Sequence, residues 1–257
     1  MLERAALGQW QALQDDRVIG RGETWRRLDG RLFISIDAWN PEVFDDLATA
    51  MLAELPRPLH TMVDEADTDL TTHWQRAGFT TRRREWQCHL PTDPATTGLN
   101  PHTPGPSDIT VLPLGTAEEE PLRELDRTLR THIQTTHGWQ EMPAEVLPVP
   151  EGTTTTDPSQ YATPAKHAVA VRNGTYAGLI RVTGNPRMPR IGLIAVHPEH
   201  QRHGIARTLL THTLSTLHRN GITTASAEIN ESNTAATTLF TTIGAQHIST
   251  NLELELH

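Results

Sequence analysis

Two periods of apolar and polar residues run along this chain, and the points where one gives way to the other mark its elements. The unbroken apolar run Ile191-Gly192-Leu193-Ile194-Ala195-Val196 predicts a buried strand. A short loop leads from it into a run with Leu209, Leu210, Leu214 and Leu217 on one helical face. A second strand-like run ends near Asn230. After it, Ser232 or Asn233 can cap a helix whose apolar positions are Ala236, Leu239, Phe240 and Ile243. Gly244 stands where such a helix would stop in the left-handed conformation. Upstream, Ile109–Leu114 predicts a strand. Leu122, Leu125, Leu129 and Ile133 predict a helix, with Glu118-Glu119-Glu120 at its positive end. Lys166–Val171 and Tyr176–Val182 predict a hairpin turned at Arg172-Asn173-Gly174.

The first ninety residues hold a related pattern. Arg31–Ile36 reads as a strand, Asn40-Pro41 as a cap with a first-turn proline, and Phe44, Leu47, Met51 and Leu52 as a helix face. Placing Gly78 on Gly244, an offset of 166, brings Val63 onto Ile229, Asp67 onto Asn233, Leu70 onto Ala236 and Trp74 onto Phe240. Thr80–Leu90 then falls on Gln246–Leu256, both strand-like. Residues 91–106 are rich in Pro, Thr, Gly and Asn and read as a linker, and residues 148–164 as a second Pro/Thr-rich loop. The expected organisation is a first half over 1–90, the linker, and a second half over 107–257.

The strand, loop and helix around 191–217 carry the chemistry. The free N–H groups and positive end of a helix that follows a strand and a small-residue loop can hold a phosphate. The loop lacks both Gly-x-x-x-x-Gly-Lys-Ser/Thr and Gly-x-Gly-x-x-Gly. Gln201-Arg202-His203-Gly204-Ile205-Ala206, after a strand ending Val196-His197-Pro198, resembles the acyl-CoA pyrophosphate loop of the GNAT superfamily of N-acetyltransferases, Gln/Arg-x-x-Gly-x-Gly/Ala after Val-x-Pro. Asn233, Ala236, Leu239 and Gly244 are similar to the family's Asn-x-x-Ala-x-x-Leu-Tyr-x-x-x-Gly-Phe. Phe240 departs from its Tyr and Ala245 from its Phe.

The resemblance implies an α/β GNAT fold: a mixed, mostly antiparallel sheet flanked by helices, here as two tandem units. It implies acetyl-CoA as cosubstrate, held by Ala195, Val196, Gln201, Arg202, His203, Gly204, Ile205, Ala206, Asn233 and Phe240, with the Val196 N–H as oxyanion donor. Arg202 and Arg207 flank the loop, and Arg202 is the better placed to touch phosphate. The strand from Arg190 to Val196 has no carboxylate. Glu228, in an Ala-Glu-Ile similar to the Leu-Glu-Val of ribosomal-protein alanine N-acetyltransferases, is the expected base, with ordered water as the other option. Phe240 has no proton to give a departing thiolate, which leaves water or Tyr161 as the acid. The acceptor side is expected from Leu122–Met142 and the 148–164 loop, with Glu124, Asp126, His132, His137, Trp139 and Glu141. In the first half Asp37-Ala38-Trp39-Asn40 replaces the loop and Met62 the glutamate, so that half reads as a degenerate unit that binds no acyl-CoA.

Composition narrows the partners. The formal charge of −9 over 257 residues argues against nucleic acid and suits a cationic small substrate. No apolar run approaches the roughly 20 residues of a membrane span, and no signal peptide opens the chain. Cys88 is the one cysteine, which fits a reducing cytoplasm. His197, His200 and His203 have a ligand-like spacing, but solvated loop histidines are the simpler reading and no metal is expected. The expected function is acetyl transfer to a primary amine of a small molecule, a metabolite or an amine-containing antibiotic. The alternatives are an acyl-CoA-binding sensor or scaffold, or a GNAT fold recruited to other chemistry on a biosynthetic intermediate. Acceptor identity, acyl length and oligomeric state stay open.

Overall fold

The computed structural model describes residues 1–27, 29–99, 108–138, 141–142 and 164–257. They form two compact units, one of Met1–Trp86 with Ser249–His257, the other of Gln87–Ile248.

The first unit begins with three antiparallel strands, β1 (Leu2–Ala6), β2 (Gln9–Gln14) and β3 (Arg17–Arg26), followed by β4 (Leu32–Ala38), helix α1 (Pro41–Glu54), β5 (Leu59–Asp64), α2 (Thr68–Arg76) and β6 (Thr80–Pro91). Its strand order is β1-β2-β3-β4-β5-β12-β6, where β12 is Gln246–Leu256. From β1 to β5, and between β5 and β12, pairing is antiparallel except between β4 and β5, which pair in parallel at Leu32↔Leu59 and Phe33↔His60. Ile34, Phe44, Leu47, Met51, Leu59 and Trp74 fill the core, joined by Leu252, Leu254 and Leu256 of β12.

Between those leucines, Glu253 turns to the other face of the sheet. Its side chain is fully buried among Arg31, Arg82 and Arg83, 3.1 Å from Arg82 Nη1 and 3.2 Å from Arg83 Nη2. Asp29, Glu85 and Glu255 complete this network. His60 lies in it, stacked on Phe33 with both ring nitrogens 3.7–3.8 Å from Glu253 and Glu255. Burial, helped by Arg31, holds the His60 pKa below its usual value.

The second unit runs α3 (Pro94–Thr97), β7 (Ile109–Leu112), α4 (Glu119–Thr136), β8 (His167–Arg172), β9 (Thr175–Asn185), β10 (Met188–Val196), α5 (Ile205–Arg219), β11 (Thr224–Asn230) and α6 (Thr234–Thr242). Its strand order is β6-β11-β10-β9-β8-β7. The hairpin turns at Asn173 and Gly174, both at positive φ. Leu122, Leu125 and Leu129 of α4 pack on Val169 and Leu179.

The offset of 166 recurs in single hydrogen bonds. Asp67 caps α2 by accepting from Leu70 N, as Asn233, rather than Ser232, caps α6 by accepting from Ala236 N. Ala66 N donates to Asp64 Oδ1 and Ser232 N to Asn230 Oδ1. Both helices end in the same way: Gly78 N bonds Gln75 O and Phe79 N bonds Trp74 O, while Gly244 N bonds Thr241 O and Ala245 N bonds Phe240 O. Earlier in each unit the offset is 158 between the strand glycines and 162 between the helix residues they face: Gly20 gives way to Val43 of α1 and Gly178 to Ile205 of α5, and an added Cβ would lie 2.6 and 3.0 Å from those side chains.

The units are bounded differently from the expected halves. Ser249–His257 belongs with the first unit, because its leucines complete that core and Glu253 its ion network. Within the expected linker, Asp93 caps α3, Thr92 bonds Ile222 O and Thr223 O, and Thr92, Thr97 and Leu99 are buried. This stretch is therefore anchored at Thr92, Thr97 and Leu99; 100–106 lie outside the described residues.

Candidate active site

The site begins where two strands part. β10 and β11 pair in parallel only at Arg190↔Ser226 and Ile191↔Ala227. The register of β10 against β9 slips between Ile191 and Leu193, placing a bulge at Gly192. A bulge bends its strand and sharpens its twist. From there β10 runs on to Val196 and β11 to Asn230 without meeting, and a cavity of about 260 Å³ occupies the gap. Leu193 and Ile194 of β10, Glu228 and Asn230 of β11, Ala206 of α5, and Asn233 and Phe240 at α6 border it.

Backbone geometry aims one donor into this gap. His197 N bonds Ala177 O, so alternation along an antiparallel ladder makes Val196↔Gly178 a non-bonded pair. The Val196 N–H therefore points away from β9, toward the side vacated by β11. Beyond it the loop rises through Arg202 at φ +66 to Gly204 at φ +77, the N-cap of α5. No side chain caps this helix. Its first amides face outward past a glycine, where the helix dipole favours an anion. Ile205 is buried and anchors the turn, while Gln201, Arg202 and His203 are exposed. His203 Nδ1 bonds Gln201 O at 2.8 Å, and Gln201 Nε2 reaches Val196 O at 3.4 Å and His132 Nε2 of α4 at 3.5 Å.

Four of the residues expected from sequence, Ala206, Glu228, Asn233 and Phe240, meet at the cavity. Ala195, Val196 and Gln201–Ile205 form the strand end and loop that lead from it. Phe240 is nearly buried. Glu228 is paired with Arg190 at 2.5 Å. Arg190, near the start of β10, carries no signal of this role in the sequence. Its diagonal placement across from Glu228 depends on the β10–β11 register. Of the acceptor-side set, Glu141 reaches the cavity and accepts from Asn230 Nδ2 at 2.9 Å. Asp126 is tied to Arg130 and Glu124 is exposed. Trp139, Tyr161 and most of the 148–164 loop lie outside the described residues. His197 Nδ1 accepts from Glu199 N, and no set of three metal-ligating side chains occurs among the described residues.

Residues 134–245 match the Acetyltransferase (GNAT) family model. That stretch lies within the second unit. Fifty-one residues are 41% identical to the [ribosomal protein bS18]-alanine N-acetyltransferase of Escherichia coli K12, a match spanning 20% of this chain and 34% of that protein. The Shigella flexneri protein of the same name matches equally. The chain thus spans about a third of these curated relatives. Among solved structures, a GCN5-related N-acetyltransferase from Sphaerobacter thermophilus aligns over 97% of this chain and 80% of its own, at TM-score 0.66 and 15% identity. A tandem GNAT protein from the clavulanic acid biosynthesis pathway aligns over 96% and 82%, at TM-score 0.64 and 14% identity. At such identities the likeness shows the fold: a mostly antiparallel GNAT sheet flanked by helices, shared with a tandem member. No described helix is long and apolar enough to cross a membrane.

Proposed function

We propose that the GNAT domain transfers acetyl from acetyl-CoA to a primary amine of a small molecule, by direct attack in a ternary complex. One observation carries this reading: the uncapped start of α5, the outward Val196 N–H and the Glu228 carboxylate all border or lead into one strand gap. Acetyl-CoA supplies an activated acyl group. The α5 amides, with Arg202 and Arg207, suit its phosphates. Asn233 and Ala206 border the path inward. The Val196 N–H is the donor for the acyl oxygen as negative charge grows there. An alkyl ammonium, with a pKa near 10.4, must lose its proton before it attacks, and Glu228 or an ordered water takes it. Phe240 packs rather than donates, so water protonates the leaving thiolate. The first unit binds no acyl-CoA on this reading, because Asn40 Oδ1 already accepts from the start of α1 and Pro41 brings no N–H.

Thiol release from acetyl-CoA across a panel of primary amines tests this. Glu228→Gln should lower the rate at neutral pH by about 10²-fold or more, with recovery at high pH. An unchanged rate removes Glu228 from the mechanism. A second reading, an acyl-CoA-binding sensor, draws on the Arg190–Glu228 ion pair and the missing acid at Phe240; tight CoA binding with no turnover of any amine would favour it.

A further inference from the structure

The polar wall of the cavity lies on one side of β11. Ala225, Ala227 and Ile229 are buried on one face, so Glu228 and Asn230 share the other. Asn230 is locked in orientation: its Oδ1 accepts from Ser232 N at 3.0 Å and Ser232 Oγ at 2.9 Å. A backbone N–H can only donate, so the amide NH₂ is the end turned to Glu141. Glu141 is thus fixed by Asn230 as Glu228 is by Arg190. Two residues of strand, about 6.6 Å, separate the positions that hold these carboxylates. Around them the walls are apolar: Ile191, Leu193 and Leu239.

Resting on the acetyl-transfer reading, we propose that Glu141 is the specificity-determining residue for the acceptor. It receives an isolated ammonium, which is then within reach of Glu228 for deprotonation. Charge-assisted bonds from an ammonium to a carboxylate are roughly twice as strong as neutral ones. A carboxylate beside that ammonium would be repelled by Glu141. The favoured class is therefore an alkylamine, or an amine whose neighbouring carboxyl is already blocked, rather than a free amino acid.

Calorimetric titration of the CoA-saturated protein with n-pentylamine and with the zwitterion norleucine, alongside steady-state kinetics, tests this. Pentylamine should bind and norleucine should bind at least tenfold more weakly. Glu141→Gln should weaken pentylamine binding about tenfold and raise its KM to match, with kcat within twofold and the acetyl-CoA KM unchanged. Glu141→Asp should recover part of the loss. A thermal transition like that of the parent protein shows that the variants fold. Equal binding of both probes, no binding of pentylamine, or an unchanged KM in Glu141→Gln overturns the inference. Glu141-dependent amine binding without thiol release from acetyl-CoA would keep the amine site and sink the transferase reading instead.

Discussion

In the first unit the chain crosses from β4 to α1 in two residues, Trp39 and Asn40; in the second it crosses from β10 to α5 in eight, His197 to Gly204. The short crossing finishes its helix with its own atoms, an Asn40 cap and a first-turn proline. The long one ends on a left-handed glycine and leaves the helix start without a side-chain cap. The same contrast recurs deeper in each unit. Trp74 meets Phe44 and Phe79 edge-on, each pair 4.9 Å apart, and fills the first core. At the matching positions the second unit has the smaller Phe240 and Ala245, and Phe240 borders the cavity. The two units thus differ in packing: one fills its core and the other leaves a cavity.

The sharpest way to break this comparison is to remove what the closed copy borrows. Deleting Ser249–His257 strips Leu252, Leu254, Leu256 and Glu253 from the first unit, which should then fail to fold, seen as protease sensitivity confined to residues 1–86. Glu253→Ala alone should cost about 3–5 kcal/mol by leaving buried arginines without their carboxylate; an unmoved denaturation midpoint would contradict it. Next, Gly204→Val forces a β-branched residue into φ +77. Acetyl-CoA affinity by calorimetry should drop tenfold to a hundredfold, about 1.4–3 kcal/mol, and full retention would detach the loop from the cofactor. The matched change in the other copy, Asn40→Ala, should lower stability by about 1 kcal/mol and leave acetyl-CoA binding untouched. A change in that binding would mean the first unit is not inert.

The smallest effect concerns pH. The His60 pKa is depressed in the fold, so the unfolded chain takes up this proton first. Its effect is absent well above the ordinary value of about 6.5, and stability falls as pH drops through that value toward the lower folded one. His60→Gln should flatten this part of the profile. Denaturation midpoints at pH 7.5 and 5.5 that fall equally in both proteins would remove His60 as a cause.

Much of this was written in local pattern. The caps at Asn40, Asp67 and Asn233, the stop at Gly244 and the apolar faces of α4, α5 and α6 each depend on residues within a turn or two, and each stands where the spacing puts it. Strand partners are set by distant segments, so β1–β3 and the passage of β12 to the first unit left no comparable trace. Proline and threonine made 92–99 read as linker because composition cannot report that Thr92, Thr97 and Leu99 find burial. At the site, the loop was legible because its chemistry lies in consecutive residues. Arg190 and Asn230 were not, because their meaning comes from which side chain stands across a gap between strands.

The placement of β12 also sets an order in time. During synthesis β5 appears early, with the whole sequence of the second unit still to be made before β12 can pair along its edge. Until then an edge of the first sheet stands open, a row of unpaired amides and carbonyls of the kind that recruits other chains. The N-terminal copy is translated first and completed last.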